Sequence, residues 1–176
     1  MRVALVERGE VGSDAGDRRM PGVERRRGCH HQSPASWEKS VSGHNLTGGC
    51  LCGSVRYGTA SPVSAATFCH CRSCRRASGA HSLPWITVAR AGLHWLGSAA
   101  PTHYASSPGV TRSFCARCGT PLAYASDASP ATLDLTVGSL DDPSAIAPAD
   151  HTWMEDALPW DRPADGRPAH PRTRND

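Results

Sequence analysis

Only one of the 19 basic residues in this 176-residue chain, Lys39, is a lysine, and aromatic residues make up 6% of it. The near-absence of lysine reads as coding bias, and no functional meaning attaches to it. Scarce aromatics beside 17 Gly and 14 Pro exclude a long helical bundle and favour short elements joined by turns. No stretch approaches the ~18 consecutive apolar residues of a membrane span. The first residues, interrupted by Arg2, Glu7, Arg8 and Glu10, also lack the apolar run of a secretory signal. Charge of one sign is missing too. The formal +3 divides into +2 over residues 1–45 and +1 over the rest, too little for an electrostatic nucleic-acid footprint. The length suits one domain.

What the chain does have is eight cysteines. Without a secretory signal, clustered cysteines point to metal or catalysis in a reducing compartment, so the expected location is cytoplasmic. Residues 1–45 lack periodicity and mix both charge signs, with a solvated run at Arg25, Arg26 and Arg27. They read as a disordered N-terminal extension, with Met20 another candidate start. From Leu46 the texture changes. Short β-prone pieces at 54–57, 65–68, 82–88, 93–96, 102–104, 111–114, 121–124 and 133–137 alternate with turn signals, Gly48-Gly49 among them. This is the pattern of an all-β sandwich or folded sheet. One short helical turn is expected at 72–78, directly after the central cysteines. The proline-spaced stretch from Pro159 reads as an extended covering strap, and 171–176 as a disordered tail.

Cys50-Leu51-Cys52 is followed by Gly53, and Cys115-Ala116-Arg117-Cys118 by Gly119. Both look like knuckles, tight turns in which glycine supplies the positive φ that presents two thiolates to one ion. Two such turns supply the four ligands of a tetrahedral structural zinc. A small sheet domain has a thin core, and such an ion contributes on the order of 10 kcal/mol to folding. The run Cys69-His70-Cys71-Arg72-Ser73-Cys74 differs. It offers three thiolates within six residues and no fourth cysteine nearby. Three protein ligands and one exchangeable position mark a catalytic zinc. The spacing leaves open that His70 or Cys29 closes this site, although strand alternation turns His70 away from its neighbours. Zinc in a four-thiolate site leaves two negative charges and in a three-thiolate site one, so the loaded domain is slightly negative.

Three segments together are similar to a known family. They are Gly48-Gly49-Cys50-Leu51-Cys52-Gly53, Cys69-His70-Cys71-Arg72-Ser73-Cys74-Arg75-Arg76, and Phe114-Cys115-Ala116-Arg117-Cys118-Gly119. With Gly138 to Pro143, His151-Thr152-Trp153 and Trp160, they resemble the glutathione-dependent formaldehyde-activating enzyme/centromere protein V family over residues 46–170. The resemblance implies an all-β, Mss4-like fold stabilised by zinc and a zinc domain spanning 46–170. It implies a structural zinc on Cys50, Cys52, Cys115 and Cys118, and a second zinc on Cys69, Cys71 and Cys74 with its fourth position left for substrate.

The activity it implies is carbon–sulfur lyase chemistry joining glutathione and formaldehyde into S-hydroxymethylglutathione, with glutathione as co-substrate. Arg75 and Arg76 are then candidates for a glutathione carboxylate, and His151 for a proton carrier. Solvated arginines and a packing histidine are the plainer readings of the same residues. Asp141-Asp142-Pro143 reads as a capping turn. Trp85, Trp95, Trp153 and Trp160 read as core or rim packing, Trp153 also as a pocket wall. A non-catalytic zinc scaffold and a thiol redox sensor are the alternative functions. Expected partners are a small thiol and an aldehyde, with no nucleic acid and no membrane. The sequence leaves the oligomeric state open.

Overall fold

The computed structural model describes residues 46–175. The stretch expected to be disordered at 1–45, with Cys29, lies outside them. Ten strands and one helix follow in chain order: β1 (Leu46–Gly49), β2 (Arg56–Thr59), β3 (Ala65–Cys69), α1 (Arg72–Ser78), β4 (Leu83–Ala89), β5 (Leu93–Trp95), β6 (Thr102–Ser107), β7 (Val110–Phe114), β8 (Pro121–Ser126), β9 (Thr132–Thr136) and β10 (Asp150–Thr152). They form a three-stranded sheet β1-β2-β5 and a seven-stranded sheet β10-β3-β4-β9-β8-β7-β6. All pairings are antiparallel except β10 with β3. The all-β class and the helix after the central cysteines are as expected. None of the described helices is long and apolar enough to cross a membrane.

One expectation is corrected. Gly48-Gly49, read as a turn, lies inside β1. The reason is steric, because a Cβ on Gly48 would stand 2.4 Å from both the Ser139 carbonyl and the Tyr57 hydroxyl. Glycine is there to let two strands and a buried phenol close up, a use it shares with turns but does not confine to them.

Register assigns the two faces of the large sheet. Ala66, Ile86, Leu135, Ala123 and Ser113 are cross-strand partners on one face. Ile86, Val88 and Leu135 are fully buried there, against Val55, Tyr57 and Leu122. Since side chains alternate, the neighbouring row, Thr87, Asp134, Tyr124 and Arg112, occupies the other face. Sequence alternation of this kind normally marks a solvated face. Here α1, β10 and the C-terminal chain rise around that face and turn it into the floor of a cavity.

The strap borders β10, with His151 N–H donating to the Pro168 carbonyl at 2.9 Å and His170 N–H to the His151 carbonyl at 2.8 Å. A strap here covers a sheet edge that would otherwise be free to pair. Residues 171–175, expected as a loose tail, continue this course. The Trp153 N–H donates to the Arg172 carbonyl at 2.8 Å, and Arg174 forms an ion pair with the buried Asp150. The acidic turn does what its residues suggest, for Asp142 accepts the Ser144 N–H at 3.1 Å and Asp141 pairs with Arg56.

The core contains one titratable group with a measurable consequence. Burial pushes the Tyr57 phenol up to about 12, against the pull of its 2.7 Å hydrogen bond to Ser139. The unfolded phenol ionises near 10. Between about pH 10 and pH 12 the folded state therefore holds a proton that the unfolded state has released, and stability falls as pH rises. The wild type should lose about 2–3 kcal/mol across this window in denaturant titrations. Tyr57→Phe should be less stable near neutrality by about 1 kcal/mol, for the lost hydrogen bond, and show a flatter alkaline slope. An unchanged slope in the variant would sink this account of Tyr57.

Candidate metal centres and the adjoining cavity

Cys50 and Cys52 stand in the turn after β1, and Cys115 and Cys118 in the turn after β7. The two turns are built alike. In the first, Gly53 N–H donates to the Cys50 carbonyl at 2.9 Å; in the second, Gly119 N–H donates to the Cys115 carbonyl at 2.8 Å. Gly53 and Gly119 both have φ +76°, the left-handed conformation that glycine adopts without penalty. A hydrogen bond of 3.1 Å from Leu51 N–H to the Thr120 hydroxyl ties one turn to the other.

The four sulfurs lie within 4.8 Å of one another. Four thiolates at about 2.3 Å from a common ion are about 3.8 Å apart. Cys50–Cys52 at 3.5 Å and Cys52–Cys115 at 3.8 Å meet that edge length, and all four are free thiols. The shell is already supplied with donors that orient thiolates, namely Val55 N–H at 3.2 Å from Cys50 Sγ and the Ser54 hydroxyl at 3.1 Å from Cys52 Sγ. The donor set suits a soft or borderline cation.

The second cluster is assembled by the β3-to-α1 passage. Cys69 is the last residue of β3, Cys71 caps α1 by accepting the Cys74 N–H at 3.3 Å, and Cys74 lies in the first turn facing inward. These sulfurs also lie within 4.8 Å of one another, and among the described residues no fourth His, Cys, Asp or Glu joins them. His70 is turned away, as alternation requires. It is buried, with Nε2 3.0 Å from His151 Nδ1. Within the trio, the surroundings of Cys74 favour its ionised form. Hydrogen bonds from the Cys69 and Cys71 thiols hold its thiol well below the ordinary range, aided by the Arg112 guanidinium, whose Nη2 is 3.6 Å from the sulfur. The same contacts push Cys69 up.

The trio opens onto a cavity of about 680 Å³, inside the range of about 300–1,000 Å³ typical of small-molecule sites. Its floor is the second face of the large sheet, where Trp85 and Tyr124 pack with the sulfur cluster and Arg112 reaches Cys74. Trp153 forms part of the wall with φ +60°, the sole non-glycine residue in the left-handed region among those described. For so bulky a side chain that conformation costs about 1–2 kcal/mol, and such strain persists where surrounding contacts impose it.

The other expected site residues are not brought together here. His151 lies behind the trio rather than on the cavity, with its Nε2 3.1 Å from Asp165 and its other ring nitrogen occupied by His70. Arg75 and Arg76 line a shallower neighbouring cleft with His81 and Trp160. Arginines that do line the main cavity are Arg72, Arg112 and Arg174. Sequence reasoning missed Arg112 and Asp134. Their only signal was a polar residue at alternate positions of an apolar strand, the ordinary mark of a solvated surface.

The family model described as glutathione-dependent formaldehyde-activating enzyme matches residues 45–156, which contain both cysteine clusters and all ten strands. Among solved structures, a crystal structure of a Rhodobacter sphaeroides protein is 21% identical, the match covering 70% of this chain and 98% of that one with a TM-score of 0.45.

Proposed function

The chain belongs to the family of glutathione-dependent formaldehyde-activating enzymes, and on that premise we propose that it is a carbon–sulfur lyase interconverting S-hydroxymethylglutathione with glutathione and formaldehyde. The observation that carries this reading is a trio of thiols without a fourth partner among the described residues, opening onto a cavity of about 680 Å³. In the forward direction the substrate thiol loses its proton and its sulfur forms a bond to the carbonyl carbon. The C=O π pair moves to the oxygen, which takes up a proton. Reversal breaks the same carbon–sulfur bond.

Cys69, Cys71 and Cys74 would hold zinc, which when bound supplies a Lewis acid that favours thiolate over thiol at neutral pH. The chain's own residues do the rest. Trp85 on the floor and Trp153 in the wall set apolar surface beside the sulfurs. Arg112, a permanent cation stacked 5.1 Å above the Tyr124 ring, presents N–H donors where negative charge develops on the adduct oxygen. Cys50, Cys52, Cys115 and Cys118 would hold a separate zinc whose role is structural. Seven free thiols suit a reducing compartment, so a cytoplasmic location goes with the reading.

The uncatalysed addition is itself quick, so the test is an exchange measurement. Magnetisation-transfer NMR on a glutathione–formaldehyde mixture at equilibrium should show exchange that rises in proportion to zinc-loaded protein. Exchange that is insensitive to protein concentration would refute the proposal.

A further inference from the structure

Asp134 is a carboxylate on the floor of the cavity that the reaction, as derived above, does not use. It sits on β9 in a cross-strand row that runs Thr87, Asp134, Tyr124, Arg112. One oxygen, Oδ1, accepts the Thr87 hydroxyl at 2.6 Å. The other has no hydrogen-bond or ion-pair partner among the described residues. Nearby Arg174 is taken up by Asp150 and the Ala66 carbonyl. Burial pushes the Asp134 carboxyl above the usual range, against the Thr87 hydrogen bond and the more distant Arg174. A half-buried carboxylate with one open oxygen gains most from a cation placed against it.

The other charges of the cavity have the opposite sign or are engaged. Arg72 and Arg112 are cations, and Asp156 at the rim already accepts the Arg72 backbone N–H at 3.2 Å. Position adds a length. Arg112 touches the sulfur trio, and Asp134 is two strands from Arg112, about 10 Å at the usual strand spacing. From sulfur to amine, a γ-glutamyl-cysteinyl unit spans two to three residue lengths, about 7–10 Å when extended.

We propose that Asp134 is the anchor for an ammonium group of the substrate, so that the cavity selects a thiol carrying a positive amine and seats its amine end over β9. This rests on the cavity being the glutathione site. Asp134 is then a specificity-determining residue, and the γ-glutamyl end points away from the reacting sulfur along the row through Tyr124.

The test compares two thiols by calorimetric titration into zinc-loaded protein: glutathione, and glutaryl-cysteinyl-glycine, which keeps the thiol and both carboxylates but lacks the amine. Wild type should bind glutathione about tenfold more tightly, the scale of a hydrogen bond to a charged group. Asp134→Asn keeps the shape and an acceptor for Thr87. It should bind the two thiols alike, at the affinity wild type shows for the amine-free one. Equal binding by wild type would overturn the ammonium anchor and leave the glutathione reading standing, and this comparison needs no variant. A preference that survives in Asp134→Asn would overturn it as well. If wild type binds neither thiol, both readings fall together.

Discussion

Cys118→Ser should leave the domain unfolded at 25 °C, with near-UV dichroism lost and no metal retained at the first cluster. The magnitude follows from the place of that cluster in the fold. Cys50 and Cys115 are buried members of the main core, packed with Val55, Tyr57, Ile86, Leu122 and Leu135. An ion held there joins the turn after β1 to the turn after β7, so it ties the small sheet to the large one. A structural zinc contributes on the order of 10 kcal/mol to folding, against a net stability of about 5–15 kcal/mol for a domain of this size. Removing one ligand of four loses most of that.

Cys118 is prepared for the role. Burial opposes its ionisation, but hydrogen bonds from the Thr120 hydroxyl and from the backbone at Thr120 and Cys52 outweigh it, and the thiol comes down to about 6. At neutral pH the ligand is already a thiolate, the form a metal binds. A Cys118→Ser protein with wild-type near-UV dichroism and an unchanged melting temperature would defeat this assignment.

Cys71→Ser should have the reverse profile, with the fold kept, zinc falling from two per chain to one, and the exchange rate falling by on the order of 100-fold or more. Loss of an outer-shell partner alone typically costs 10–100-fold, so loss of a direct ligand sets that as a lower bound. Three observations explain why the fold survives. Cys69 and Cys74 belong to a separate, smaller cluster with Leu83 and Trp85, outside the main core. Cys71 itself is only half-buried. Its structural duty is to cap α1, and serine is among the best residues for that position. Elemental analysis beside dichroism separates the two variants. If Cys71→Ser unfolds the domain, or turns over at the wild-type rate, the division between a structural and a reactive centre is wrong.

The contrast between these variants was legible in the sequence because it rests on local chemistry. Two cysteine pairs each followed by glycine demand the positive φ that Gly53 and Gly119 show, and three cysteines within six residues cannot spread far apart. The short helix falls at 72–78, where it was expected after the central cysteines, and the structure shows what bounds it: Cys71 caps it and Gly79, at φ +73°, ends it.

Strand positions were readable from β-prone runs, but not which face each would turn inward, because that depends on what packs above. Gly48 illustrates the limit. Its sequence context reads as a turn, whereas the close approach of Tyr57 and Ser139, residues 9 and 91 positions away, requires the missing Cβ. His151 illustrates it again. Its residue type suits proton transfer, yet the pairing of β10 beside β3 turns the ring towards His70 and away from the cavity.

What the amino-acid sequence determined on its own is which atoms can meet a metal ion, since those ligands come from turns and a helix cap whose geometry is set within a few residues. The tertiary structure alone decided what surrounds the reactive trio. Thr87, Asp134, Tyr124 and Arg112 come from four strands, and only the antiparallel register of β4, β9, β8 and β7 lines them up. Only the enclosure by α1 and the C-terminal chain makes that row a cavity floor instead of a wet surface. Bonds along the chain act over a few residues, whereas a pocket is a property of which distant strands become neighbours.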